Sequence, residues 1–300
     1  MKQKNLVKKA VFPALVALLC SVIALTSVSY AWFTLGDKAS VSGMELEVTS
    51  AGGLQISASG SEGTFKSDLL LSDLNKEELG YKLPTAAVYP VSTDGTVKEG
   101  EMTLYKGTIE NGELSKASLS TADFICFDIY VRVIPGKTLQ LDEGSVVKMA
   151  ENQTKETHLS ARVAFFYMGY AKTASGAQAL TLDNSAPKVI WEPNALIRSK
   201  AVKDSGNQSD GTKVNYKGIA SVTGTTPTLS TNFVTTIAPN QNTDLTTSVA
   251  QNLFELQEGF NRIRVYIWLE GQDIDCVNEV SGGIFAVALK FKQIDTTPKQ

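Results

Sequence analysis

Histidine and cysteine are nearly missing from this chain of 300 residues: His158 is the single imidazole, and the thiols are Cys20, Cys126 and Cys276. A zinc site of the HExxH kind needs two imidazoles, and a Ser-His-Asp triad needs one oriented by a carboxylate beside a nucleophile. The local Thr-His-Leu-Ser-Ala stretch supplies neither. His158 is therefore expected to be an exposed residue at a strand end. No GxGxxG or GxxxxGK[ST] phosphate cradle is present. The acids are scattered, so no glycosidase-like carboxylate pair stands out. Positive charge is also short. The formal charge is −3, and Lys2, Lys4, Lys8 and Lys9 all precede residue 10. Nucleic-acid binders concentrate Lys and Arg on one face, so nucleic acid is excluded as a partner. These absences point to a protein that is not an enzyme.

Long apolar runs are scarce as well, with one exception. Residues 10–25, AVFPALVALLCSVIAL, are apolar apart from Ser21 and follow the lysine-rich start. Next come Ser29 and Ala31 at the spacing of an A-x-A-like cleavage site, with Trp32 as the new first residue. This is the three-part layout of a secretory signal. A bilayer span needs about 20 apolar residues, and extending the run to Phe33 would supply them, so a retained anchor stays open beside cleavage after Ala31. A lipoprotein signal does not fit, because Leu19 precedes Cys20, and the glycine and glutamate of a type IV prepilin are missing. Either way the body, residues 32–300, is expected outside the cytoplasm, on the cell surface or secreted. The membrane is then met only through the N-terminal segment. Removing residues 1–31 takes the formal charge from −3 to −7, since four lysines leave with them.

With 43% hydrophobic residues, the body can bury a real core. Its commonest pattern is alternation, the mark of half-buried strands. Ile125, Phe127, Ile129, Val131 and Val133 share a face. So do Ile263, Val265, Ile267 and Leu269; Phe285, Val287, Leu289 and Phe291; and Leu159, Ala161, Val163, Phe165 and Tyr167. Shorter versions occur at 43–49, 53–57, 101–107 and 188–192. Strands with one apolar face each bury those faces most economically as two stacked sheets. The spacing predicts an all-β chain: an antiparallel β-sandwich, jelly-roll or Ig-like, after the N-terminal signal or anchor helix. Short helices are expected at 72–80, from Ser72 to Gly80, and at 244–258, where Leu245, Val249, Leu253 and Leu256 recur at helical spacing. Residues 200–243 are rich in Ser, Thr, Asn and Gly. They read as a polar surface insertion, at most a ragged hairpin.

A few residues could carry chemistry. Asp273, Asp275 and Asn278 put hard oxygens in one loop, which suits calcium, although the spacing is not that of an EF-hand and such residues also form ordinary turns. Cys126 and Cys276 would be the two cysteines of a mature chain, free to pair as a disulfide or to stay as buried thiols. Tyr130, Tyr266 and Trp268 lie opposite the aliphatic rows, where an open sheet would offer stacking rings to a glycan and a covered one would make them secondary core. The first strand, carrying Val41, Met44, Leu46 and Val48, could add to the sheet edge of a neighbouring molecule or serve as the chain's own.

The stretch ALTSVSYAWFTLGDKASVSGMELEV, residues 24–48, resembles the N-terminus of camelysin/TasA-like exported proteins of Gram-positive bacteria. RIRVYIWLEGQDIDC, residues 262–276, is similar to a stretch of uncharacterised clostridial exported proteins that share the YAWF start. The resemblance implies processing by a dedicated signal peptidase, a jelly-roll-like sandwich and, in TasA-type members, polymerisation into biofilm matrix fibres. Trp32, Phe33, Thr34 and Leu35 stand where such proteins typically read Phe-Phe-Ser-Asp. Camelysin is described as a metalloprotease, and nothing here resembles a protease zinc site. The expected role is a structural protein of surface or matrix, partnered by itself or by other surface proteins. The alternative is a surface binding module for glycan or host protein.

Overall fold

The computed structural model describes residues 40–48, 54–74, 79, 88–111, 113–121, 123–133, 137–194, 197–204, 219–223, 226–229, 236–237, 250–271, 273 and 275–295. The segment expected to act as a signal or anchor, with Ser29, Ala31 and Trp32, lies outside them. For 40–48 and for the short strands between 219 and 237 only the backbone is described, so Val41, Met44, Leu46 and Val48 are located by register alone.

The described residues are mostly β-strands in sheets, with short helical turns. The strands are β1 (Ser40–Val48), β2 (Gln55–Ser57), β3 (Asp68–Leu70), β4 (Pro90–Lys98), β5 (Glu101–Glu110), β6 (Glu113–Lys116), β7 (Ile125–Val133), β8 (Lys137–Leu141) and β9 (Val146–Met149). They continue with β10 (Ala161–Ala171), β11 (Lys188–Trp191), β12 (Ile219–Thr223), β13 (Thr226–Leu229), β14 (Thr236–Ile237), β15 (Gln251–Leu256), β16 (Gly259–Glu270) and β17 (Ile284–Asp295). One sheet runs β15-β8-β17-β1-β3, with β9 also on β17. A second runs β14-β11-β10-β16-β4-β5-β6, with β7 on β16 and β2 on β7. β12 and β13 form an antiparallel hairpin inside the polar insertion.

The long alternating segments become the central strands. One hydrophobic cluster takes Ile125, Phe127, Ile129, Val163, Phe165, Ile263, Val265 and Ile267 from the second sheet. It takes Leu139, Leu141, Phe285, Val287, Leu289 and Phe291 from the first. Phe165 and Phe291 meet edge-on across it, with ring centroids 5.9 Å apart. Each of these aromatic side chains is fully buried, a burial worth about 2 kcal/mol or more of hydrophobic stabilisation per ring.

Two expectations are corrected. The pairing is mixed and not purely antiparallel: β1 runs parallel to β17, β14 to β11, and β4 to the end of β16. Parallel neighbours need long connections, and β1 and β17 come from opposite ends of the described chain. The helix expected at 244–258 is also absent from its described part, because 251–256 is strand β15, paired with β8. A bulge between Asn252 and Phe254 lets Leu253 and Phe254 both turn inward. Two adjacent buried residues followed by Leu256 imitate helical spacing. Of the helix expected at 72–80, a short turn at Leu71–Leu74 is described.

The second sheet is buried on its other face too. Cys126, Ala164, Phe166, Ile190, Tyr266 and Trp268 form a second cluster with Val91 and Val97 of β4, Met102 and Leu104 of β5, and Leu182. β4, β5 and the 180–186 segment therefore cover a face that alternation alone would leave to solvent.

Candidate functional site

Along the covered face of β16 the side chains run Arg262, Arg264, Tyr266, Trp268, Glu270, with charges at both ends and aromatic rings between. At one end Asp128, directly opposite Arg264 on β7, is fully buried. It accepts from Arg262 Nε (2.9 Å), Arg264 Nε (2.7 Å) and Arg264 Nη2 (3.0 Å). The same guanidinium groups reach on to backbone. Arg262 donates to the carbonyls of Gln178 and Leu180, and Arg264 to that of Gly100. One carboxylate thus orients two arginines that hold the β4–β5 turn and the 178–180 segment against the sheet. Arg262 also lies 5.4 Å from the centroid of the Tyr130 ring, a cation–π contact.

In the middle, the Tyr266 hydroxyl accepts from the Met102 amide at 3.1 Å, and Trp268 Nε1 donates to Glu270 at 2.9 Å. Glu270 also accepts from the Ser92 hydroxyl. Tyr130, Tyr266 and Trp268 are all buried. The aromatic row is secondary core and not an open platform.

At the far end lie the acids singled out in the sequence. Asp273 accepts a hydrogen bond from Arg162 Nη2. Asp275 accepts from Arg198 Nη1 at 3.2 Å and from the Ser199 amide at 2.7 Å. Burial first, then the charge of Asp273, pushes the Asp275 carboxyl up from its ordinary range. The side chain of Asn278 lies outside the described residues. Asp273 and Asp275 thus face guanidinium groups, and a calcium ion there would have to displace them. Among the described residues no cluster of three His, Cys, Asp or Glu could hold a metal.

Cys126 and Cys276 are separate, buried free thiols, so the disulfide considered from the sequence is not made. Cys126 sits in β7 beneath the β4–β5 cover; burial pushes its thiol up to about 12. Cys276 lies in the turn after β16, and burial raises its thiol as well. Neither thiol resembles an activated nucleophile, which needs a lowered pKa.

His158 is corrected too. It is buried, in the turn Thr157–Ser160 that precedes β10, and neither ring nitrogen has a hydrogen-bond partner. Burial drives the imidazole down to about 4. Asn194 ties this turn to β9, donating to the carbonyls of His158 and Val147, each at 3.0 Å. Sequence reasoning missed Asp128, Arg162 and Glu192. Asp128 falls in the row opposite Ile125, Phe127 and Ile129, which alternation alone assigns to solvent, so the strand gives no signal of its burial.

No family model, curated protein or solved structure matches this chain.

Proposed function

We propose that the chain is an exported structural protein of the cell surface or extracellular matrix. On this reading its two sheets form a β-sandwich, and it polymerises by lending its N-terminal strand to a neighbour. The observation that carries the reading is the position of β1. It lies between β17 and β3 and runs parallel to β17 from Ser40, opposite Ile284, to Val48, opposite Phe291. Among the described strands, β3 pairs with β1 alone. No hairpin joins β1 to β17, so the same strand from another copy could take the same register without remaking a turn between them. The side chains with chemical potential favour this reading as well, since Asp128, Arg162, Asp273, Asp275, Tyr266 and Trp268 are used inside the protein.

The resemblance of residues 24–48 to camelysin/TasA-like proteins agrees with export and with fibre formation, and the signal layout agrees with cleavage after Ala31. The glycan-binding alternative loses its open aromatic face and would have to use the polar insertion at 200–243. Negative-stain microscopy of protein lacking residues 1–31 tests the proposal. Salt-tolerant filaments are expected. A persistent monomer that retains a glycan would favour the binding module instead.

A further inference from the structure

Three side chains from three segments meet near the far end of β16. Arg162 comes from the start of β10, Glu192 follows β11 directly, and Asp273 stands in the turn after β16; all three are buried. One guanidinium serves two carboxylates, and it serves them unequally. Asp273 accepts a hydrogen bond from Nη2, whereas Glu192 Oε1 lies 3.8 Å from Nε and makes no hydrogen bond. A second carboxylate at this depth is unfavourable as an anion, because it loses hydration and is repelled by Asp273. A proton relieves both.

The other ionisable groups packed around this point do not change the balance. Glu270 from β16 and Asp275 and Cys276 from the following turn add only acidic groups. Arg198 faces Asp275. The turn before β10 brings His158, which burial holds neutral, and Ser160.

We propose that Arg162, Glu192 and Asp273 form a one-proton latch: with Glu192 protonated, the segments carrying Glu192 and Asp273 are held against the second sheet, and losing that proton loosens them over Cys276. Burial, against the opposing pull of Arg162 and with the repulsion of Asp273, raises the Glu192 carboxyl to about 6. The folded chain therefore binds this proton more tightly than the unfolded chain does. The stabilisation is complete at low pH and is lost as the pH rises through about 6. The latch is closed in mild acid and slack at neutral pH and above.

Hydrogen exchange on the whole protein, read on peptides covering 271–283 and compared with Glu192→Gln at one pH so that intrinsic rates cancel, tests this. At pH 8 the amide, a neutral mimic of the protonated acid, should slow exchange there by roughly tenfold. At pH 5 the two proteins should exchange alike. Equal or faster exchange in the variant at pH 8 would overturn the latch. Should Glu192→Gln fail to fold, carbon-13 titration of labelled glutamate in the wild-type protein decides: one carboxyl titrating near 6 is expected, and its absence would overturn the proposal.

Discussion

Gly283 and Thr157 press together so closely that a Cβ at position 283 would overlap Thr157 Oγ1 and come within 2.9 Å of Lys155 Cβ. The Thr157 hydroxyl cannot simply rotate away, because it donates to the Val280 carbonyl, and Lys155 Nζ donates to that of Ser281. This contact seats the 280–283 turn on the segment that carries His158.

Gly283→Ala should therefore destabilise the protein by about 1–3 kcal/mol, the usual cost of overpacking. Urea unfolding followed by circular dichroism measures it. An unchanged midpoint would mean that the two segments separate without resistance.

Asp128→Asn keeps the shape of the side chain and removes the charge that both Arg262 and Arg264 use. Two guanidinium groups, with side chains only 12% and 15% exposed, would then face each other across a neutral amide. A loss of about 3 kcal/mol or more is expected, as for breaking a buried ion pair from one side. Hydrogen exchange should rise first around Gly100 and at 178–182, the backbone that the arginines hold. A uniform rise over the whole sheet would show that the carboxylate does not anchor the cover specifically.

The inner faces of β7, β10, β16 and β17 were legible in the sequence because strict alternation leaves one geometry able to bury them. What hid the second buried face was its cover. β4 reads PVSTDGTVK, a turn-like composition, yet Ser92 and Thr93 are buried with their hydroxyls bonded to Glu270 and to the Thr103 carbonyl. Local polarity says nothing about such distant partners. The partners of the acids at 273 and 275 were hidden for the same reason: Arg162 and Arg198, which face them, lie 111 and 77 residues away along the chain. His158 was misplaced because a polar residue at a strand entrance is ordinarily exposed, and nothing nearby in sequence announces the turn that encloses it.

Phe291 joins the two sheets through its edge contact with Phe165 and stands opposite Val48 in the register of β1. Phe291→Ala should cost about 3–5 kcal/mol, combining lost transfer energy with the cavity left behind. If β1 is the strand lent to a neighbour, the same change should also reduce filament yield under conditions where the monomer is still folded. Filaments of undiminished length and number would separate assembly from this part of the first sheet.

His158 contributes one component of the response to acid. In the unfolded chain an imidazole takes up its proton near 6.5, whereas in the fold burial holds it neutral down to about 4. Between these values the unfolded state binds one more proton than the folded state, so stability falls as the pH is lowered through this window and levels off below it. The gap corresponds to about 3 kcal/mol at most, acting on a ring whose two nitrogens lack partners to share a charge. His158→Met, similar in volume and unable to titrate, should remove this component. The difference in unfolding free energy between variant and wild type should then grow steadily in the variant's favour from pH 6.5 to pH 4. Taking the difference cancels the opposite slope contributed by Glu192, which gains stability over part of the same range. Parallel stability curves for the two proteins would mean that the buried ring is protonated in the fold as easily as in water.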